Sequence, residues 1–448
     1  MRSKYFSTII YFTTFLLFIS CFSKKEIANS TDESENTQIS KEKVEAEISA
    51  IYRNNVYKSN IKTVLLHKKD DPLSIPIVNL NNNVGKLKLS FDDLDSDIKD
   101  YYYSITHCNS DWRTSDLMKS EYLNGFSQKP ITNFEFSFNT LESYTHYSLI
   151  FPEEDMTPTI SGNYILKIFK EDTLIITERF MLLDNKLNIE TDVRKATLAA
   201  DRKNKHEVDF KIYHPKINIS DPYTDLTIHV KQNNRDDNAI VDLKPLFVKN
   251  QELIYDYEDV NTFWGNNEFR HFDIKSFRYQ SQRIKDIITN NNNTDVYLFS
   301  DFKRSFDLYS IIPDINGNFL IESQEGWNSS LEADYANVHF SLPFDKPINY
   351  GELYIIGELS DWQLKNEFKL HFNAENKKYE CTTKLKQGYY NYHYILYDTI
   401  SNKVDVNYIE GTHYQTRNDY YIYVYYRDTS DRYDQLIGFT KTSSKNLF

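Results

Sequence analysis

Three stretches of this 448-residue sequence bring reactive side chains close together. His107 and Cys108 are adjacent, with Asp111 and Trp112 shortly after. Those residue types suit a metal site, or a thiol nucleophile with its base. Neighbouring side chains on a strand leave from opposite faces, however, so His107 and Cys108 would not share a ligand sphere. Trp112 is read as a core anchor at a strand-to-turn position, and His146, in Tyr144-Thr-His-Tyr147, as a packed or hydrogen-bonded strand residue. Glu268, Arg270, His271 and Asp273 surround Phe269 and Phe272, a pattern expected of a strand that buries rings and exposes ions. Residues 314–319 have the outline of a calcium loop but lack acids at alternate positions and a closing Glu. Their Asn316-Gly317 pair fits a tight hairpin turn, whose two central residues both need positive φ. No Ser/His/acid order, Gly-rich phosphate loop or Cys/His zinc spacing can be placed. The expectation is a protein without catalytic residues, metal or cofactor.

The elements that must position these residues read as strands. The chain holds 35 Tyr and 29 Phe against 11 Gly and 11 Pro, which excludes collagen-like, linker-like and wholly disordered classes. A formal net charge of −13, spread along the length, argues against a nucleic-acid partner. The length anticipates about three compact units. Short β-type runs fall at 62–67, 86–91, 101–107, 145–151, 164–170 and 174–183, then at 205–213, 225–232, 269–277 and 295–298. Further runs lie at 338–342, 351–357, 368–372, 379–384, 389–397 and 420–427. In Gly85-Lys-Leu-Lys-Leu-Ser-Phe91 the residues Leu87, Leu89 and Phe91 would share a buried face and Lys86, Lys88 and Ser90 a wet one. The fold class is therefore all-β, with β-sandwiches in series. The expected divisions are 56–184, 185–330 and 331–440, the first immunoglobulin-like.

The first 20 residues read as an export signal, with Arg2 and Lys4 ahead of a short apolar run that is too short to span a bilayer. Its end, Phe18-Ile-Ser-Cys21, resembles a bacterial lipobox, which makes Cys21 the lipidation site; an unmodified Cys21 behind a conventional signal is the other reading. Residues 21–55 would form a polar tether. With Cys21 lipidated, Cys108 and Cys381 remain, in separate units, and a disulfide is not expected.

Seven collinear segments together carry a family resemblance. They include Tyr103-Ser-Ile-Thr-His-Cys-Asn-Ser-Asp-Trp112, Ser161-Gly-Asn-Tyr164, Asn267-Glu-Phe-Arg-His-Phe-Asp273 and Asp334-Tyr-Ala336. Lys386-Gln-Gly-Tyr-Tyr-Asn-Tyr392, residues 134–151, and residues 420–438 with Arg432-Tyr-Asp434 complete the set. The chain resembles the plug protein family of the Bacteroidota type IX secretion system over about 56–439. That resemblance implies a periplasmic, non-enzymatic protein that docks against the outer-membrane translocon barrel and closes its periplasmic mouth when idle. Anchoring to the outer membrane through lipid at Cys21, and a single copy outside that complex, are further expectations. The contacts would draw on Tyr101, Tyr102 and Tyr103, and on Tyr420, Tyr421, Tyr423 and Tyr425, because tyrosine gives contact area at small entropic cost. One rival exists. Gly357-Glu-Leu-Ser-Asp-Trp362 followed by residues 386–394 resembles the early-set modules of starch- and glycogen-active enzymes, which would make the protein a carbohydrate-binding lipoprotein using Trp327 and Trp362.

Overall fold

The computed structural model describes residues 52–80 and 85–444; Cys21, the export signal and most of the tether lie outside the described residues. Alternation in residues 85–91 sets the first core. Leu87, Leu89 and Phe91 are each at most 1% exposed on the strand Leu87–Asp93, the second in a sheet ordered Ile61–Lys68, Leu87–Asp93, Thr145–Phe151 and Asn133–Phe136. They face a sheet in which Thr173–Leu183, Gly162–Lys170 and Tyr101–Cys108 are neighbours, and Tyr103, Ile105, Tyr164, Leu166 and Phe180 fill the space between. On the opposite face Lys86 is exposed and Lys88 half-buried, as expected, but the far end of the face is covered. Ser90 and Asp92 are 4% and 1% exposed, because a later part of the chain packs over that sheet.

A second sandwich begins at Asn188. Asn188–Lys195, Lys205–Tyr213, Glu252–Tyr255 and Phe247–Lys249 form one sheet, to which Thr262–Trp264 adds by pairing with Lys205–Tyr213. The other sheet is ordered Ile240–Val241, Leu226–Gln232, Asp419–Tyr426 and Gln435–Ser443. Its last two strands thus come from the end of the described chain. The third sandwich is an insertion between Thr262–Trp264 and Asp419–Tyr426. Its longest strand, Gly388–Asp398, pairs with Arg270–Asp273, Phe319–Ile321, Gly351–Ile356 and Lys403–Asp405. Facing it are Ile284–Thr289, Thr294–Leu298, Tyr335–Pro343, Lys378–Lys386 and His371–Asn373. Strand pairing therefore runs across a division at 330/331: residues 270–321 hydrogen-bond with the third sandwich, and residues 419–443 with the second.

That return strand reads Asp-Tyr-Tyr-Ile-Tyr-Val-Tyr-Tyr and is buried along its whole length. Period two sends Tyr420, Ile422, Val424 and Tyr426 into the second core. Tyr421, Tyr423 and Tyr425 leave from the other face and pack with Leu436 against Cys108, Trp112, Ile165, Met181 and Leu183 of the first sandwich. An unbroken apolar run is what a strand covered on both faces requires. Residues 315–318 turn as the Asn-Gly pair implies, with φ of 53° at Asn316 and 83° at Gly317 and the Asn318 N–H 3.2 Å from the Ile315 carbonyl. The hairpin does not follow, because Phe319–Ile321 pairs with Gly388–Asp398 instead. Among the described residues no helix is long and apolar enough to cross a membrane.

Truncating the wholly buried Ile422 to Ala should cost about 2–5 kcal/mol through lost transfer energy and the cavity left behind, read by urea unfolding.

Candidate functional site

Positions singled out for chemistry turn out to be held in place by partners. His107 is fully buried, with Nδ1 2.8 Å from Ser115 Oγ and Nε2 3.3 Å from the Ser161 carbonyl, and burial pushes its pKa down to about 4. Cys108 faces the junction with the second sandwich, and burial pushes its thiol up to about 12. Asp111 is exposed, and Trp112 lies under the Arg179 guanidinium, 4.3 Å from the ring centroid. Among the described residues two acidic clusters have metal-like spacing, and in each a side-chain cation bridges the oxygens. Lys99 Nζ bridges Asp93 at 2.8 Å, Asp97 at 3.3 Å and Asp95; Arg194 Nη2 bridges Glu207, Asp209 and Asp256 at 2.6, 2.7 and 3.1 Å.

The ions around Arg270 are not exposed as the alternation suggested. Glu268 is 1% exposed and accepts from the Tyr309 hydroxyl, and burial pushes its carboxyl up to about 7. Arg270 reaches Glu410 at 3.0 Å and Asp301 at 2.9 Å, and Arg304 reaches Glu410 at 2.5 Å. Burial works against ionisation of Glu410, but Arg270 and Arg304 outweigh it and hold the carboxyl far below its ordinary value. The short helix Asn407–Glu410 and residues 299–311 bring these partners over the strand, which is why its polar face is covered.

Of the seven tyrosines expected to touch a partner, six are internal. Tyr101, Tyr103, Tyr420, Tyr421, Tyr423 and Tyr425 are at most 7% exposed, and only Tyr102, at 36%, reaches the surface. Tyr101 and Tyr103 face the first core and the other four lie on a strand covered on both faces, and their hydroxyls have internal acceptors: Tyr101 donates to Asp93 at 2.8 Å, Tyr423 to Asn234 at 2.8 Å and Tyr425 to Asn163 at 2.9 Å. Trp327 is fully exposed. Trp362 is half-buried, edge-on to Phe269 and beneath the Arg235 guanidinium, 5.2 Å from its ring centroid.

What the side chains build instead is a set of locks between sandwiches. Asp92 of the first and Lys386 of the third, each with a side chain 1% exposed, meet at 2.6 Å. His146 Nδ1 lies 2.7 Å from Asp92, the Tyr335 hydroxyl donates to Asp92 at 2.6 Å, and Tyr144 presents its ring 4.1 Å from the Lys386 ammonium. Burial opposes both charges; at Asp92 the attraction of Lys386 and the hydrogen bond to His146 prevail and hold the carboxyl below its ordinary value. Asp334 adds two bonds by accepting from the Leu141 and Glu142 amides at 2.6 and 3.1 Å. Between first and second sandwiches, the Asp184 and Lys186 amides donate to the Leu436 and Ile437 carbonyls at 3.0 and 2.9 Å, and Arg179 pairs with Asp236 at 2.5 Å. A cleft of about 1080 Å³ remains where all three meet, lined among others by Glu178, Arg179, Lys231, Asp236, Glu358 and Trp362.

The arrangement defines a class: an all-β body of three interlocked sandwiches, one of them inserted in another. Its residues 61–184 match the model described as type 9 secretion system plug protein 1st domain. A solved structure of a hypothetical protein from Parabacteroides merdae ATCC 43184 is 35% identical, with a TM-score of 0.84, over 88% of this chain and 99% of that one. A search of curated proteins found no match. The chain belongs to the type 9 secretion system plug protein family. Membership implies association with that system's translocon and a periplasmic or outer-membrane-associated location.

Replacing Lys386 by Met should destabilise the protein by about 3–5 kcal/mol, because it strands a buried carboxylate. Since the folded pKa of Asp92 is depressed, its contribution is present above the ordinary carboxylate range near 3.8 and is lost as pH falls below it. Urea midpoints measured from pH 7 down to pH 3 should therefore fall less steeply in Lys386→Met than in the wild type.

Proposed function

We propose that this protein closes the periplasmic mouth of the type 9 outer-membrane translocon barrel when no cargo is in transit, by filling it and not by making or breaking bonds. The family match over residues 61–184 carries this reading. Physical support comes from the locks: a closure that resists passing solutes must not shear, and a first sandwich joined to the third through the buried Asp92–Lys386 pair and to the second through amide bonds and a tyrosine-lined junction makes for a stiff body. Release then depends on the strength of the docking contact, which cargo or a change in the barrel has to overcome.

The body is held near its target, on this reading, by lipid on Cys21. Tethering turns docking into a local event with a high effective concentration, so a weak and reversible contact suffices. The protein acts as a single copy in the periplasm, anchored to the outer membrane.

Two outcomes are expected. Purifying the barrel from native membranes should bring the protein with it, and a strain lacking the protein should admit small periplasm-impermeant dyes that the parent excludes; a barrel isolated intact without it would contradict the proposal. Cys21→Ser should move the protein from the membrane to the soluble fraction and abolish labelling by a radioactive fatty acid, whereas an unmodified Cys21 would leave both unchanged.

A further inference from the structure

Residues 299–311 join the strand Thr294–Leu298 to the turn at Asn316 without regular structure of their own. Their apolar side chains point out. Phe299, Phe302, Phe306, Leu308 and Ile311 are 48, 68, 93, 93 and 51% exposed. A slack segment of this composition would fold its rings back onto the body, since burying one stabilises by a few kcal/mol. Here the backbone is pinned at several points. The Arg270 guanidinium donates to the Phe302 carbonyl at 2.7 Å, and the Arg304 amide to the Ile409 carbonyl at 2.9 Å. The Arg304 side chain is gripped by Glu410 and the Glu268 carbonyl, the Asp307 amide closes a turn on the Arg304 carbonyl at 3.0 Å, and the Tyr309 hydroxyl donates to Glu268 at 2.5 Å. The buried ion network around Glu410 thus serves as the base of a finger whose tips, Phe306 and Leu308, are held in solvent.

We propose that this finger is the docking element, and that it seats in an apolar recess of the translocon barrel. The inference rests on the plug reading and specifies its contact. Apolar anchors on a pre-ordered scaffold bind without an ordering penalty, the property expected of interface hot spots. Charge selects the partner. Loops that enter lipid present cations to the headgroups, but the Lys303 ammonium lies 3.7 Å from the centroid of the Tyr408 ring and Arg304 is consumed by Glu410. The outward charge at the tip is Asp307, on a chain of net charge −13, which disfavours an anionic bilayer and equally a second copy meeting it tip to tip.

The test is copurification from native membranes of the full-length wild type, of Phe306→Ser with Leu308→Ser, and of Trp327→Ser as an exposed aromatic outside the finger. The finger variant should retain the wild-type melting temperature and bring down about tenfold less barrel or worse, with Trp327→Ser unaffected. A photoreactive benzoylphenylalanine at position 306 should crosslink to the barrel. Wild-type recovery by the finger variant, with no crosslink, would overturn the finger while leaving the plug reading intact; a wild type that never copurifies would sink both. Finger-dependent flotation with protein-free anionic vesicles, or a finger-dependent dimer in sedimentation, would overturn the choice of partner.

Discussion

Everything in this architecture leans on the strand Asp419–Tyr426. It completes a sheet more than 180 residues after its neighbour Leu226–Gln232, and so closes the second sandwich around the third. Its even-numbered side chains fill that sandwich, while Tyr421, Tyr423 and Tyr425 form the face on which the first sandwich sits. Tyrosine meets both demands: the ring supplies area to exclude water, and the hydroxyl finds an acceptor, Asn163 across the junction for Tyr425 and Asn234 of the second sandwich for Tyr423. Without that strand the second sandwich would lack a core strand and the first would lose its seat.

A second constraint follows from burying charge. Asp92 with Lys386, and Glu410 with Arg270 and Arg304, occupy sites where an unpaired ion would be costly, so each group demands its partner at one position. One cluster fixes the third sandwich against the first. The other pins residues 299–311 and keeps their apolar tips outside. Stiffness within the body and exposure at one finger are thus products of the same device, and together they describe a stopper that holds its shape and presents a small grip.

Local patterns in the sequence were legible wherever structure is local. Leu87, Leu89 and Phe91 alternate and are buried, and Asn316 and Gly317 take the positive φ that their types favour. Pairing between distant segments left no such trace. Nothing in residues 419–443 names Leu226–Gln232 as a neighbour, which is why a linear division of the chain misses the insertion. The tyrosine run at 420–426 was a true signal of a buried surface, but the surface it meets is intramolecular. Conversely, the exposed tips at Phe306 and Leu308 look in sequence like ordinary core residues; only the clamps on Phe302, Arg304 and Tyr309 reveal that they stay out.

The central claim is that this body blocks a conduit by occupying it. Conductance of the purified translocon in a planar bilayer, recorded while the protein is added from the periplasmic side, addresses that claim most directly. The account predicts a saturable fall in current that reverses on washing. Unchanged current at concentrations where the two proteins are bound would contradict it.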